Sequence, residues 1–447
     1  MLTLLLASAL PSSAIPAFAR KTGLRCSACH EAWPKLSNFG QTFKDNGYQI
    51  GNERDSPVFL SPYYWPISLR ITPQWHNELN TATATYQSKT GVQPVSSQGF
   101  DLSGMDMLTA GLLSRNISFL LVPSSDEHGN FHFESAWVRF DNILNQSWVN
   151  IKAGKMELDQ VVSEKRIFTL SSNGGVYQIY HYLPQVDAAA FALAPTVAGE
   201  SGTSATSFGL GDNQLGLEVM GHSRNGHTRL SASLLSSSDG SVNLPNGGSY
   251  DTYLAGSQAF DAGKFGVQRV GGFGYVGQAS TRYLTQTTGG STTPISGSGY
   301  GNKTFTREGA FGLFAVKHLD VVPMYTHATE SPFIALGIPS NDALPTGVQS
   351  PTWNGRMLEV DYFLGLQFVA VARYEDIRNS KQLFAGSKSS FGDLDAETVA
   401  LRWYPFMTSR DGLAIHFEYS KVHSIGISPI GGNQTTRSGF VGLDFAF

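Results

Sequence analysis

Between Ile67 and Phe447, apolar and polar residues alternate with a period of two, in segments separated by runs rich in Gly, Ser and Thr. The segment 67–79 sets Ile67, Leu69, Ile71 and Trp75 against Ser68, Arg70, Thr72, Gln74, His76 and Glu78. The segment 411–421 sets Leu413, Ile415, Phe417 and Tyr419 against His416, Glu418 and Ser420. Successive side chains of a strand point to opposite faces, so each segment reads as a strand with one apolar and one polar face. The connections carry more information. After residue 214 they alternate short (near 223–226, 261–264, 317–319, 364–366 and 405–411) and long (near 237–249, 278–302, 330–354, 377–394 and 422–435). Short turns on one rim and long loops on the other are the pattern of a transmembrane β-barrel. The final segment, 436–447, alternates in the same way and ends on Phe447.

Fifteen strands are directly readable, with 107–121 taken as one of them. A bacterial single-chain barrel has an even number of strands. The turn at 223–226 must therefore be preceded by one more, and "GGVYQIYHYL" (174–183) is the expected place. The fold class expected is all-β, a porin-like, sixteen-stranded antiparallel transmembrane barrel over residues 56–447. Its lumen would carry charges of both signs: Arg70, Glu78, Glu218, Glu359, Asp361, Arg373, Glu375, Arg402 and Glu418. Such charges are ordinary in a wall that faces water.

Composition sharpens this picture. Only 15% of residues are charged and the net charge is −4, which gives no electrostatic footprint for nucleic acid. The start "MLTLLLASAL" followed by "PSSAIPAFA" reads as a signal peptide over 1–19, with small residues suited to cleavage after Ala14 or Ala19.

The only two cysteines stand in Cys26-Ser27-Ala28-Cys29-His30. Cys-x-x-Cys-His is the attachment motif of c-type haem. Two thiols bond to the two vinyl groups on one porphyrin edge, and the adjacent histidine becomes the proximal iron ligand. A redox Cys-x-x-Cys belongs beside a βαβ pattern and a zinc site needs a second ligand pair, and neither follows. One covalent haem c is therefore expected, on Cys26 and Cys29 with His30 on the iron. Trp33, Leu36, Phe39 and Phe43 recur on one face of a predicted helix that stops at Asn46-Gly47, and are expected to pack on the haem. The segment 20–55 is too small to stand alone, so this α-helical haem unit should plug or cap the barrel.

The stretch from Ile15 to Tyr48 resembles the N-terminus of the fused monohaem cytochrome–porins of the bacterial outer membrane, among them the outer-membrane cytochromes of iron-oxidising bacteria. The residues that carry the likeness are Phe18-Ala19-Arg20, Cys26, Cys29, His30, Pro34, Leu36, Phe39-Gly40, Phe43-Lys44 and Gly47-Tyr48. The resemblance implies an electron conduit that takes electrons from extracellular Fe(II) and passes them to a periplasmic cytochrome or similar carrier. Two alternatives stand beside it: a conduit for another donor or acceptor, and a diffusion porin with a haem-bearing plug. The sixth iron ligand is open among His76, Met105, Met107, Met220, His416 and water.

Overall fold

The computed structural model describes residues 16–32, 35–51, 56–59, 65–84, 92–125, 129–159, 176–177, 180, 182, 209–236, 250–280, 285–288, 291–294, 302–336, 343–365, 367–387, 390–407, 411–426 and 433–447. Two short helices, α1 (Pro16–Thr22) and α2 (Cys26–Cys29), lead into a small hairpin, β1 (His30–Ala32) and β2 (Lys35–Leu36), and then helix α3 (Asn38–Asp45). Sixteen long strands follow. They are β3 (Ser68–Ala84), β4 (Val92–Ser114), β5 (Ile117–Ser125), β6 (Phe131–Phe140), β7 (Asn150–Met156), β8 (Gln214–His222), β9 (Thr228–Ser236), β10 (Tyr250–Asp261) and β11 (Val267–Ser280). After a loop hairpin, β12 (Thr285–Thr288) with β13 (Ser291–Pro294), come β14 (Asn302–Val316), β15 (Leu319–Thr329), β16 (Thr352–Leu364), β17 (Phe368–Lys381), β18 (Leu394–Met407), β19 (Gly412–Ser424) and β20 (Gln434–Ala446). The sixteen long strands pair antiparallel with their neighbours in sequence and form a closed barrel, β20 returning to β3. At the seam Leu69 and Phe447 exchange backbone hydrogen bonds of 2.9 Å in both directions. Arg70 donates to Asp444 (2.8 Å) and to Asp106 (3.0 Å), tying β20, β3 and β4 together from within.

The alternation in the sequence becomes the two faces of the wall. Leu217, Val219, Leu358, Val399, Leu401, Phe417, Val441 and Leu443 are exposed on the outside. Glu218, Glu359, Asp361, Arg373, Glu375, Arg402 and Glu418 are buried on the inside. An outward face of this kind belongs in hydrocarbon, where a closed barrel satisfies every backbone group. Inside, charges are paired: Arg373 lies 3.3 Å from Glu359 and 3.4 Å from Glu375, and Lys152 meets Glu218.

The strand total agrees with parity, but the extra strand is not at 174–183. There Val176 and Tyr177 form a turn, and Tyr177, Tyr180 and Tyr182 are buried in a cluster inside the barrel. The sixteenth strand comes from splitting 107–121. Strand β4 ends at Ser114 and β5 begins at Ile117, with Arg115-Asn116 as a two-residue turn and Asn116 at φ 58°. The reason is physical. Strand β4 has 23 residues, whereas crossing hydrocarbon takes ~9–11. Its first half, around "VQPVSSQGF", has no apolar alternation to read. The other notable difference is the N-terminal helix. Ser37 caps α3 by accepting from Gly40 N–H, so the helix starts at Asn38 and Leu36 sits on β2 instead. The predicted stop holds, with Asn46 as the C-cap and Gly47 left-handed at φ 77°.

Candidate functional site

The N-terminal segment lies across the short-turn rim, inside the barrel. Two sets of contacts hold its second half. On one side the Lys35 ammonium, 6% exposed, donates to Asp320 Oδ2 of β15 (2.5 Å) and Asp361 Oδ2 of β16 (2.7 Å). Burial works against its charge, and Asp361 and Asp320 overcome it, so its pKa stands above the ordinary lysine value. Across the ring, at β6 and β9, the end of α3 is held. Arg139 Nη2 donates to Lys44 O (2.9 Å), and Arg229 Nε lies 2.7 Å from Asp45 Oδ2. Burial alone would raise the Asp45 pKa. Arg229 outweighs it, with a hydrogen bond from Gln41, and holds the carboxyl below the usual carboxylate range.

Between these anchors the Cys-His turn is fixed by its own neighbours. Ser37 N–H donates to Cys29 O (2.8 Å), and Ser37 Oγ donates to Ala28 O (3.0 Å). Helix α3 crosses the turn so closely that a Cβ on Gly40 would lie 2.0 Å from Cys29 O. Only glycine allows that approach. Hairpin β1–β2 places His30 opposite Leu36 and leaves it 7% exposed. Cys29 is half-buried beside it.

Cys29 and His30 line one cavity of about 240 Å³. Leu36, Phe39, Phe43, Phe18, Tyr48 and Trp137 form much of its apolar wall. The rings are in contact. Phe18 stacks on Tyr48 at 4.9 Å, Tyr48 on Trp137 at 6.2 Å, and Phe43 meets Phe18 edge-on at 5.1 Å. Arg25, Lys44, Arg70, Arg139 and Lys152 also line it, with Arg139 and Lys152 each 5.6 Å from the Trp137 ring centroid. Carboxylates of Asp45, Glu134, Glu157, Asp159 and Asp411 line it as well, so its polar part carries charges of both signs.

The donor set fits a covalent haem: a thiol and an imidazole on one wall, apolar rings for the macrocycle and cations for its two carboxylates. Cys26, Cys29 and His30 would hold it. Cys26 is in α2, but its side chain lies outside the described residues, as does Trp33 altogether. Of the other axial-ligand candidates, Met220 lines the cavity, its sulfur accepting from Arg139 Nη1 at 3.6 Å. His76, Met105, Met107 and His416 do not line it. His76 sits on β3 opposite Phe440, its Nε2 3.8 Å from Glu78. Met407, which no pattern in the sequence singles out, lines the cavity at the end of β18. Among the described residues no group of three or more His, Cys, Asp or Glu is arranged to hold a metal ion.

No protein-family model matches the sequence, and no curated protein matches it. Solved structures of porin-like barrels are similar over most of the chain. In-vitro folded OmpT, an outer membrane protein of Vibrio cholerae, is 12% identical over 86% of this chain and 98% of its own, with TM-score 0.46. The anion-selective porin from Comamonas acidovorans is 11% identical over 85% and 99%, with TM-score 0.47. Salmonella typhi OmpF in complex with daunomycin is 9% identical over 85% and 97%, with TM-score 0.45. The chain is a porin-like, sixteen-stranded barrel by its own closed strand order, with short helices and a cavity at its N-terminal rim.

Proposed function

We propose that this chain is an outer-membrane electron conduit. A haem c attached at Cys26 and Cys29 and ligated by His30 occupies the rim cavity. So loaded, the chain would connect an extracellular donor, Fe(II) first among them, with a periplasmic carrier such as a cytochrome. The observation that carries the reading is the meeting of Cys29 and His30 on the wall of a largely apolar cavity, with charges of both signs at its edge, inside a barrel whose outer face suits lipid. The even strand number and the closed ring support the bacterial outer membrane as its place.

The bound group supplies a one-electron relay whose potential follows its axial ligands and burial. The residues of the chain do the rest. Hairpin β1–β2 and Ser37 orient His30 and Cys29. Phe18, Phe43 and Trp137 would exclude water from the apolar part of the cavity, and Arg25 and Lys44 would offer positive charge to the group's carboxylates. A diffusion porin with a haem-bearing plug is the second reading, and the porin-like barrel with its charged lumen favours it.

Anaerobic mixing of the detergent-solubilised protein with Fe(II) tests the first reading. Rapid appearance of the reduced haem bands is expected. A haem that dithionite reduces and Fe(II) leaves oxidised would remove Fe(II) as the donor. Liposomes holding a redox dye separate the two readings: dye reduction by an external donor supports the conduit, and solute-driven swelling without dye reduction supports the porin.

A further inference from the structure

We infer that helix α1 stays in the mature protein, so that the export leader is cut after Ala14 and not after Ala19. The inference rests on the reading of this chain as an exported outer-membrane barrel. Sequence alone leaves the two sites level, because Ser12 and Ala14 satisfy the small-residue rule as Ala17 and Ala19 do. The folded structure separates them. A cut after Ala19 would discard Ile15 to Ala19, and described residues of that stretch are built into the barrel.

Ala17 and Ala19 are 1% and 3% exposed. Ala17 N–H donates to the hydroxyl of Ser68 (3.0 Å), the first residue of β3 and itself 1% exposed. This contact stands next to the Leu69–Phe447 pair that closes the ring. Phe18 belongs to the aromatic group, stacked on Tyr48 and edge-on to Phe43, and it lines the cavity with Cys29. Ala19 packs on Met407 at the end of β18, and its carbonyl accepts from Gly23 N–H (2.7 Å).

The residues just after the second site also depend on the helix. Arg20 donates to Trp65 O (3.0 Å) and Ile67 O (2.6 Å), and Lys21 donates to Ser56 O (2.5 Å). Both sit on α1, with Arg20 tied to the backbone leading into β3. Cutting between Ala19 and Arg20 would divide one turn of helix, remove the buried half and leave a charged terminus at the cavity wall. A leader is discarded and has no reason to complete a folded protein's cavity. The cut after Ala14 removes the apolar run 2–10 and keeps every one of these contacts.

Intact mass and N-terminal sequencing of the full chain purified from outer membranes decide the matter. A mature terminus at Ile15 is the expected result. A terminus at Arg20 would overturn the inference and leave the export reading in place. A terminus at Met1 would overturn both. A second measurement does not depend on processing. A chain given a foreign leader that forces a start at Arg20 should show a lower heat-modification temperature on gels than one forced to start at Ile15. Equal temperatures would count against α1 as a structural part.

Discussion

On β19 the outward residues Ile415, Phe417 and Tyr419 alternate with His416, Glu418 and Ser420, and that pattern alone fixes which side each faces. In the segment from α1 to α3 no period runs for more than a few residues, yet Ala17, Ala19, His30, Ala32, Lys35 and Asp45 are buried. The wall meets two solvents, lipid and lumen, and each demands one kind of side chain at every second position. The N-terminal segment has no such pair of faces, and its buried positions meet other protein. Its positions are set one by one: Lys35 by two carboxylates, Gly40 by a carbonyl, Asp45 by a guanidinium. A substitution on the lipid face should therefore be absorbed, while one in the segment should be felt in full.

The largest contrast comes from the thiols. The Cys26→Ser, Cys29→Ser double variant should lose all covalent haem while the barrel still folds. Pyridine-haemochrome absorbance surviving in denatured double variant would contradict the attachment. A barrel that no longer shifts on heating in gel electrophoresis would show that the two regions fold as one.

Lys35→Met comes next. It leaves Asp320 and Asp361 facing each other in the lumen without their cation. Removing one partner from a buried pair costs ~3–5 kcal/mol. The cost should fall on the segment, so limited proteolysis should release it well before the wall is cut. Unchanged protection would mean that Lys35 is not an anchor.

Two glycines give a matched pair. At Gly40 a new methyl would strike Cys29 O at 2.0 Å, and overpacking of this kind costs ~1–3 kcal/mol or more. At Gly274, on β11, an added Cβ would meet nothing within 4 Å, and Gly274→Ala should change stability by less than ~0.5 kcal/mol. Similar losses at both sites, measured as shifts in thermal unfolding, would erase the distinction between the two regions.

The same distinction explains what the sequence disclosed. The wall was legible wherever a strand crosses lipid. The first half of β4 was not, because its side chains do not alternate there, and the two-residue turn at Arg115-Asn116 was read through as strand. Parity still required the missing strand, and only its place was wrong. Cys29 and His30, singled out by the Cys-x-x-Cys-His motif, and Leu36, Phe39 and Phe43, singled out by their spacing, do line one cavity together. Their helix was overextended because Ser37, three residues before Gly40, is a cap whose role appears only once Gly40 N–H points at it. Trp137, Arg139 and Met407 were invisible as site residues. They come from β6 and β18, which are distant in sequence, and as wall residues they carry the pattern of any lumen face.

The smallest expected effect is a pH dependence confined to the segment. Asp45 is buried beside Arg229, and its folded pKa lies below the unfolded value, which is about 3.9. Its stabilising contribution is therefore complete above that unfolded value. It is lost as pH falls below about 4 towards the folded pKa, because the unfolded chain then binds the proton first. Acid should loosen the end of α3 from β6 and β9 while the hydrogen-bonded ring stays closed. Tyr48 fixes the readout, since it follows the helix and stacks on Trp137. Tryptophan fluorescence should shift reversibly below about pH 4 with no change in β-sheet circular dichroism. Asp45→Asn removes the titrating group, and a shift of the same size in that variant would place its origin elsewhere in the barrel.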